Sequence, residues 1–276
     1  MIFHRFNICF YTVRPSSGED NAIGIGVGGC DTILIQGNHV YNGPSYYSGQ
    51  TGLRVGYGST QPIVNTIITK NFIDGWPQGI YMVSDAIDGD LDIYYNIVCG
   101  HRITIQMNGG TSNGDINIFN NDFFVPNTHT SDINVNFSGS YIIGGGTTLT
   151  FKNNIVGFLA DNSAGVYLRR PDTLTGSFVC NYNLYWNSSL AAPFFISGDA
   201  YHTFANWNGH GYDVNGINNT DPSFVNAGGS YLLDSDFILN VGSAAINKGV
   251  NVSLTGDYLG NPIVGLPDIG AYEYQP

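Results

Sequence analysis

Six segments of the chain share one pattern: two apolar residues one position apart, then an Asn after two more positions, then one position and a further apolar residue. They span 33–40 around Asn38, 66–73 around Asn71, 91–98 around Asn96, 116–123 around Asn121, 149–156 around Asn154 and 178–185 around Asn183. A weaker copy, 2–9 around Asn7, precedes them. Within each copy the apolar residues alternate, which predicts a strand with one face buried. The Asn interrupts the strand, and Asn tolerates the left-handed backbone better than most residues, so the bend is expected at the Asn itself. A second, shorter alternating run precedes each copy, at 23–27, 53–55, 80–82, 103–107, 133–137 and 166–168.

Successive Asn are 33, 25, 25, 33 and 29 residues apart. A unit of that size, with three short strands, cannot bury its own apolar face, so units must stack and share a core. Stacking brings equivalent Asn side chains into register, where they can hydrogen-bond along the stack. A propeller blade needs about 40–45 residues and four strands, and so does not fit. The expected fold is all-β: six to seven stacked coils in which each strand pairs with its copy in the next, followed by a C-terminal extension. The coils take residues 1–190 and the extension 191–276.

Composition sharpens this picture. Among 276 residues are 37 Gly and 11 Pro, which supply many turns, and only 11% are charged, which excludes coiled coils and charged helical arrays. The net charge of −12, with nine scattered Lys and Arg, argues against nucleic acid as a partner. No apolar run is long enough for a membrane helix. The start of the chain lacks a signal-peptide core. Cys9, Cys30, Cys99 and Cys180 have no metal-type spacing and are expected as buried thiols.

The Asn-punctuated coils resemble the right-handed parallel β-helix proteins of the pectate-lyase-like superfamily, which implies a right-handed, single-stranded parallel β-helix. The end of the chain resembles the tail of secreted bacterial β-helix repeat proteins, many linked to polysaccharide degradation. Its segments are Phe204-Ala-Asn-Trp207, Gly211-Tyr-Asp213, Asp221-Pro-Ser-Phe224, Asp236-Phe-Ile-Leu239, Ser243-Ala-Ala-Ile246, Asp257-Tyr-Leu-Gly260 and Asp268-Ile-Gly-Ala-Tyr-Glu-Tyr274. Asn261-Pro262 departs from it, standing where that group often has an Arg. The resemblance implies a secreted or cell-surface protein. It also implies a substrate groove on the outward face of the short first strands.

Alternation assigns that face. Arg54, Tyr81, Arg102, Thr104, Gln106, Asn134, Asn136, Tyr167 and Arg169 are expected to point out. Arg offers a planar fork for carboxylates, and Tyr a flat amphipathic surface for sugars. A lyase acting on uronates needs the substrate carboxylate neutralised and the neighbouring proton removed. His101, Arg102, Tyr81 and Arg169 are the candidate catalytic groups, with Lys70 a further candidate base. Arg54, Gln106, Asn136 and Tyr167 are the candidate substrate contacts. Asp85, Asp88 and Asp90 form a candidate Ca²⁺ site, although their spacing is not that of an EF-hand. Gly209-His-Gly211 and Asn219-Thr-Asp221 resemble fragments of polygalacturonase-type hydrolases, but stand in reverse order without an Asp pair between them.

The favoured reading is a polysaccharide-active protein, a lyase in preference to a hydrolase. A noncatalytic glycan-binding or cell-surface/structural module on the same scaffold is the alternative. The first residues already read as a coil, so the chain is expected to continue a longer secreted protein.

Overall fold

In the computed structural model of the chain, the described residues are 2–5, 8–11, 23–27, 32–42, 50–56, 64–83, 88–100, 102–108, 111–125, 133–138, 142–143, 146–162, 165–170, 173–174, 176–196, 200–226 and 233–276. Short strands recur in a cycle of three and stack coil upon coil into three long sheets, giving a parallel β-helix. Sheet 1 holds Ile2–Arg5, Ile33–Gln36, Thr66–Thr69, Leu91–Tyr94, Ile116–Phe119, Thr148–Lys152 and Ser177–Asn181. Sheet 2 holds Ile8–Tyr11, His39–Asn42, Phe72–Asp74, Ile97–Cys99, Asp122–Val125, Ile155–Asn162 and Leu184–Ser188. Sheet 3 holds Ile23–Val27, Thr51–Val55, Gln78–Val83, Ile103–Asn108, Ile133–Ser138, Val166–Arg170 and Phe194–Ile196, and ends on an antiparallel strand, Tyr201–His202. The weak first copy pairs as its pattern requires, Ile2 opposite Ile33 and Cys9 opposite Val40. Asn7 lies outside the described residues.

The six Asn stack as one hydrogen-bonded file between sheets 1 and 2. Asn96 is representative and fully buried. Its Oδ1 accepts from the backbone N (3.1 Å) and Nδ2 (2.9 Å) of Asn71. Its Nδ2 donates to Asn121 Oδ1 at 3.0 Å and to the Ile68 carbonyl at 2.9 Å. The same bonds link Asn38 to Asn71, Asn121 to Asn154 and Asn154 to Asn183. All the side-chain amides donate in one direction. The file ends on Asp213, a buried carboxylate whose Oδ1 accepts from Asn183 Nδ2 at 2.8 Å. Its Oδ2 accepts from Tyr185 Oη (2.7 Å), Trp207 Nε1 (3.0 Å) and Cys180 Sγ (2.9 Å).

The bend itself differs from expectation. The left-handed residue is the one before each Asn: Gly37, Lys70, Tyr95, Asn120, Asn153 and Tyr182, with φ between 50° and 66°. Asn stands at the next position because its side chain reaches the neighbouring coils, not because its backbone is left-handed. Five of the six bend residues are not Gly, and each accepts a strain of about 1 kcal/mol or more that the ladder beside it offsets.

Two apolar clusters hold the molecule together. The first fills the helix interior, from Ile33 and Ile35 through Ile80, Ile105 and Phe137 to Phe194 and Trp207. Trp207 sits on a short helix, Phe204–Gly209, and stacks on Phe194 with ring centres 5.0 Å apart, plugging the last coil. The second lies outside sheet 2, where Phe72, Ile97, Phe124, Ile155 and Leu184 meet Phe224, Phe237, Leu239, Ile269 and Tyr272 of the tail. The tail also bonds to the bend residues: Asn120 Nδ2 donates to the Asp268 carbonyl, and Asn153 pairs with Val250 through both its N and O. The tail therefore packs along the side of the coils. Cys99 and Cys180 are free and buried. No helix among the described residues is long and apolar enough to cross a membrane.

Candidate functional site

Parallel register aligns one position of every sheet 3 strand into a row across the outer face. The row runs Gly26, Arg54, Tyr81, Gln106, Asn136, Arg169, Phe195 and Tyr201. Neighbours stand about 4.8 Å apart, as hydrogen-bonded strands do. The structure thus brings together five candidates named from sequence: Arg54, Tyr81, Gln106, Asn136 and Arg169. The Arg54 guanidinium lies 5.3 Å from the centre of the Tyr81 ring. The Arg169 guanidinium lies 5.0 Å from the centre of the Phe195 ring, which leans on Tyr201 at 5.0 Å. Tyr201 is 56% exposed.

The middle of the row is amide. Thr51 Oγ1 donates to Gln78 Oε1, and Gln78 Nε2 donates to Gln106 Oε1, both at 3.1 Å. That chain fixes the Gln106 amide through its Oε1. On the next rung Asn136 is buried, and its Oδ1 has no partner among the described residues. A buried acceptor without a partner is costly to the fold.

The strands of this face differ in charge from the chain as a whole. The eight strands of sheet 3 contain Arg54, Arg169 and Arg170 and neither Asp nor Glu, whereas the chain carries −12. Arg170 is drawn aside, its guanidinium donating to Tyr212 Oη at 3.0 Å. Arg102 is exposed before its strand, where its backbone N donates to the Pro77 carbonyl, and it flanks the row instead of standing in it.

Other expectations need correction. Tyr167, placed outward by alternation, is buried to 1% exposure among Phe158, Tyr185 and Phe194, and its Oη accepts from the Ser188 backbone. Thr104 and Asn134 are likewise fully buried. All three belong to a row that begins Gly24, Gly52 and Gly79, where the chain turns the corner from sheet 2 into sheet 3 and an extra side chain faces inward. A Cβ at Gly52 would stand 2.6 Å from Ile73 of sheet 2, which shows how tightly this corner packs. Simple alternation fails there because the strand has not yet become straight. Lys70 is a bend residue, on the far side of the coil from the row, near Gly260 of the tail. Burial lowers its pKa, partly countered by Asp257.

His101 and Asp85 lie outside the described residues. Asp88 and Asp90 are exposed, and each is engaged by the next coil. Asp88 accepts from Asn113 Nδ2 at 2.8 Å and Asp90 from the Asp115 backbone at 3.0 Å. Among the described residues no group of three or more His, Cys, Asp or Glu is arranged to hold a metal. Phe195 and Tyr201 were missed from sequence. Their segment lacks the Asn that marks every earlier coil, so the only signal was a brief aromatic alternation.

No family model matches the chain. It is 27% identical over 218 residues to the uncharacterized protein YaiT of Salmonella typhimurium, an alignment that takes in 77% of this chain and 20% of that protein. The chain thus spans about a fifth of this relative's length, and the likeness carries no activity with it.

Proposed function

We propose that the protein binds an extended glycan along the outer face of sheet 3, across the strands and parallel to the helix axis, and that its place is outside the cell. The observation that carries this reading is the continuous row from Arg54 to Tyr201: two cations, two amides and three aromatic rings on strands that hold neither Asp nor Glu. Aromatic rings offer flat apolar surface for sugar rings, amides offer hydrogen bonds to hydroxyls, and Arg engages anionic substituents. Affinity electrophoresis or calorimetry against a panel of neutral and acidic glycans tests the reading. The expected result is binding that weakens about tenfold or more in Arg169→Gln and Tyr81→Ala at unchanged fold. No binding across the panel would reject it.

A second reading, cleavage by β-elimination, draws on one observation: the Arg54 guanidinium lies over the ring of Tyr81, a residue that carries a hydroxyl. Such a pair has the chemistry to neutralise a uronate carboxylate and accept the neighbouring proton. It predicts new ultraviolet absorbance from unsaturated products, abolished in Tyr81→Phe. Binding without that absorbance leaves the first reading alone.

A further inference from the structure

We propose that the tail is a proton-operated latch: to dock on sheet 2 it takes up a proton at Asp122, so that the contact made by residues 270–272 closes in acid and loosens as pH rises. This goes beyond the glycan-binding reading and does not depend on it. The seam between tail and coils carries the argument. Asp122 stands in the outward row of sheet 2 between Ile97 and Ile155 and is 1% exposed. Gly270 lies directly on it, with a φ of 104°. A Cβ there would stand 2.6 Å from Asp122 Oδ1 and 2.7 Å from Ile155. Asn120 Nδ2 holds that stretch down by donating to the Asp268 and Gly270 carbonyls, at 2.9 and 3.3 Å. Gly270 N donates in turn to the Asn153 carbonyl at 2.8 Å. Ile269, Ala271 and Tyr272 close the rest of the seam against Ile97 and Ile155. Contact this close leaves no layer of water between the tail and the carboxyl.

The buried carboxylates of the tail itself show what a charge in this seam requires. Asp257 accepts from Asn261 N (2.7 Å), Asn261 Nδ2 (3.1 Å) and Glu273 N (3.1 Å). Asp268 accepts from Asn247 N (2.6 Å) and Tyr274 N (2.7 Å). Glu273 accepts from Val264 N (2.9 Å) and Asp268 N (3.0 Å). Each of these three has a donor on both oxygens. Asp122 has one donor, Ala271 N on Oδ1 at 3.3 Å, and its Oδ2 is buried with no partner among the described residues. A carboxylate so poor in donors is costly, and the neutral acid far less so. Burial accordingly pushes Asp122 well above the usual carboxylate range, against the Ala271 bond.

The groups around Asp122 do not supply a counter-charge. On the elements packed against it the titratable residues are Cys99 on the strand before, and Asp268, Tyr272 and Glu273 on the tail. Asp257 and the Tyr95 phenol lie behind them. Asp161 is six residues past Ile155 on the next strand. Among cations, His39 begins the same row three rungs away, about 14 Å. Lys70 stands two coils away at a bend, where it faces Asp257. When residues 270–272 lift, the Asp122 carboxyl meets water and ionises near the ordinary Asp value of about 4. Docking therefore takes one proton from solvent onto the carboxylate. The support it gives is present in full below about pH 4 and is lost as pH rises towards and through the raised value. Loosening uncovers the apolar face of Phe72, Ile97, Phe124, Ile155 and Leu184.

Hydrogen exchange of the full chain, read by mass spectrometry and corrected for the intrinsic rate at each pH, tests the latch. Protection of residues 269–274 relative to the coil amides is expected to fall by up to about tenfold per pH unit above about pH 4. The fall should level off once Asp122 is ionised in the docked state too. Asp122→Asn, which cannot ionise, should remove most of that fall, and Asp74→Asn on the same sheet should keep it. A wild-type tail whose relative protection does not change with pH overturns the proposal. So does an Asp122→Asn tail that loses protection as steeply as the wild type. If the Asn variant does not fold, infrared difference spectra of the wild type decide. The band of a protonated carboxyl without a hydrogen-bond acceptor is expected in acid and should vanish where the loosening levels off. Its absence in acid, or its survival past that point, overturns the proposal.

Discussion

Sheets 2 and 3 are built alike from parallel strands in register, yet their outer faces have opposite fates. The row facing out of sheet 2 runs His39, Phe72, Ile97, Asp122, Ile155 and Leu184, mostly apolar, and the tail seals it. The corresponding row of sheet 3 is polar, carries Arg, and is left partly open. The difference teaches that the coil alone does not distinguish a supporting face from a binding one. The tail makes the distinction, by needing an apolar surface to pack on. Sheet 2 gave up its face to stability and even tolerates Asp122, a wholly buried carboxylate that burial keeps well above the usual pKa, with Oδ2 lacking a partner among the described residues.

The contrast can be broken most forcefully on the sealed face. Phe124 is fully buried against Trp186, Phe224 and Phe237. Phe124→Ala is expected to cost about 3–5 kcal/mol in a denaturant melt. A cost below about 1 kcal/mol would mean that the tail is not bound to the coils as described.

Asn96→Ala, between the two outer faces, should cost about 1–3 kcal/mol, since it strands the Asn71 donors and the Asn121 acceptor in the interior. A neutral result in the same melt would reduce the Asn file to a bystander.

Asp74, also under the sealed face, gives a pH-dependent effect. Burial pushes its carboxyl up to about 6, against a backbone bond from Gly75 that acts the other way. Because the folded state holds the proton more tightly than the unfolded chain, this group's contribution is greatest at acid pH. It is lost as pH rises from about 4 through about 6. Asp74→Asn should therefore stabilise the protein by about 1–2 kcal/mol at pH 8 and change little at pH 4. Melts at the two pH values check the sign, and destabilisation at pH 8 would contradict it.

The smallest stability effect belongs to the open face. Arg54→Gln and Tyr201→Ala should move stability by less than about 0.5 kcal/mol, while glycan affinity falls. A large loss of stability from either would place that residue in the scaffold and erase the contrast.

The coils were legible because their signal is periodic: an Asn that recurs with apolar neighbours announces stacking, and alternation then orients most side chains. Five of the row's residues followed from that. The corner row did not, because Gly52, Gly79 and Thr104 look like any other alternating position until the neighbouring sheet is seen packing against them. The bend was misassigned by one residue for a similar reason. Lys70, Tyr95 and Tyr182 are poor left-handed residues in isolation, and only the ladder holds them there. The end of the row at Phe195 and Tyr201, and the role of Asp213, depend on contacts between the last coil and the tail, which no local pattern encodes.

Asp213 has a consequence for how such a molecule can change length. Every amide in the file both receives and passes on a hydrogen bond, so a coil inserted anywhere before Asp213 would find a donor below and an acceptor above. A carboxylate receives but has nothing to pass on. It acts as a full stop after a row of commas: growth by duplication is open on one side of it and closed on the other. The outer row of sheet 3 would lengthen by one rung with each coil admitted.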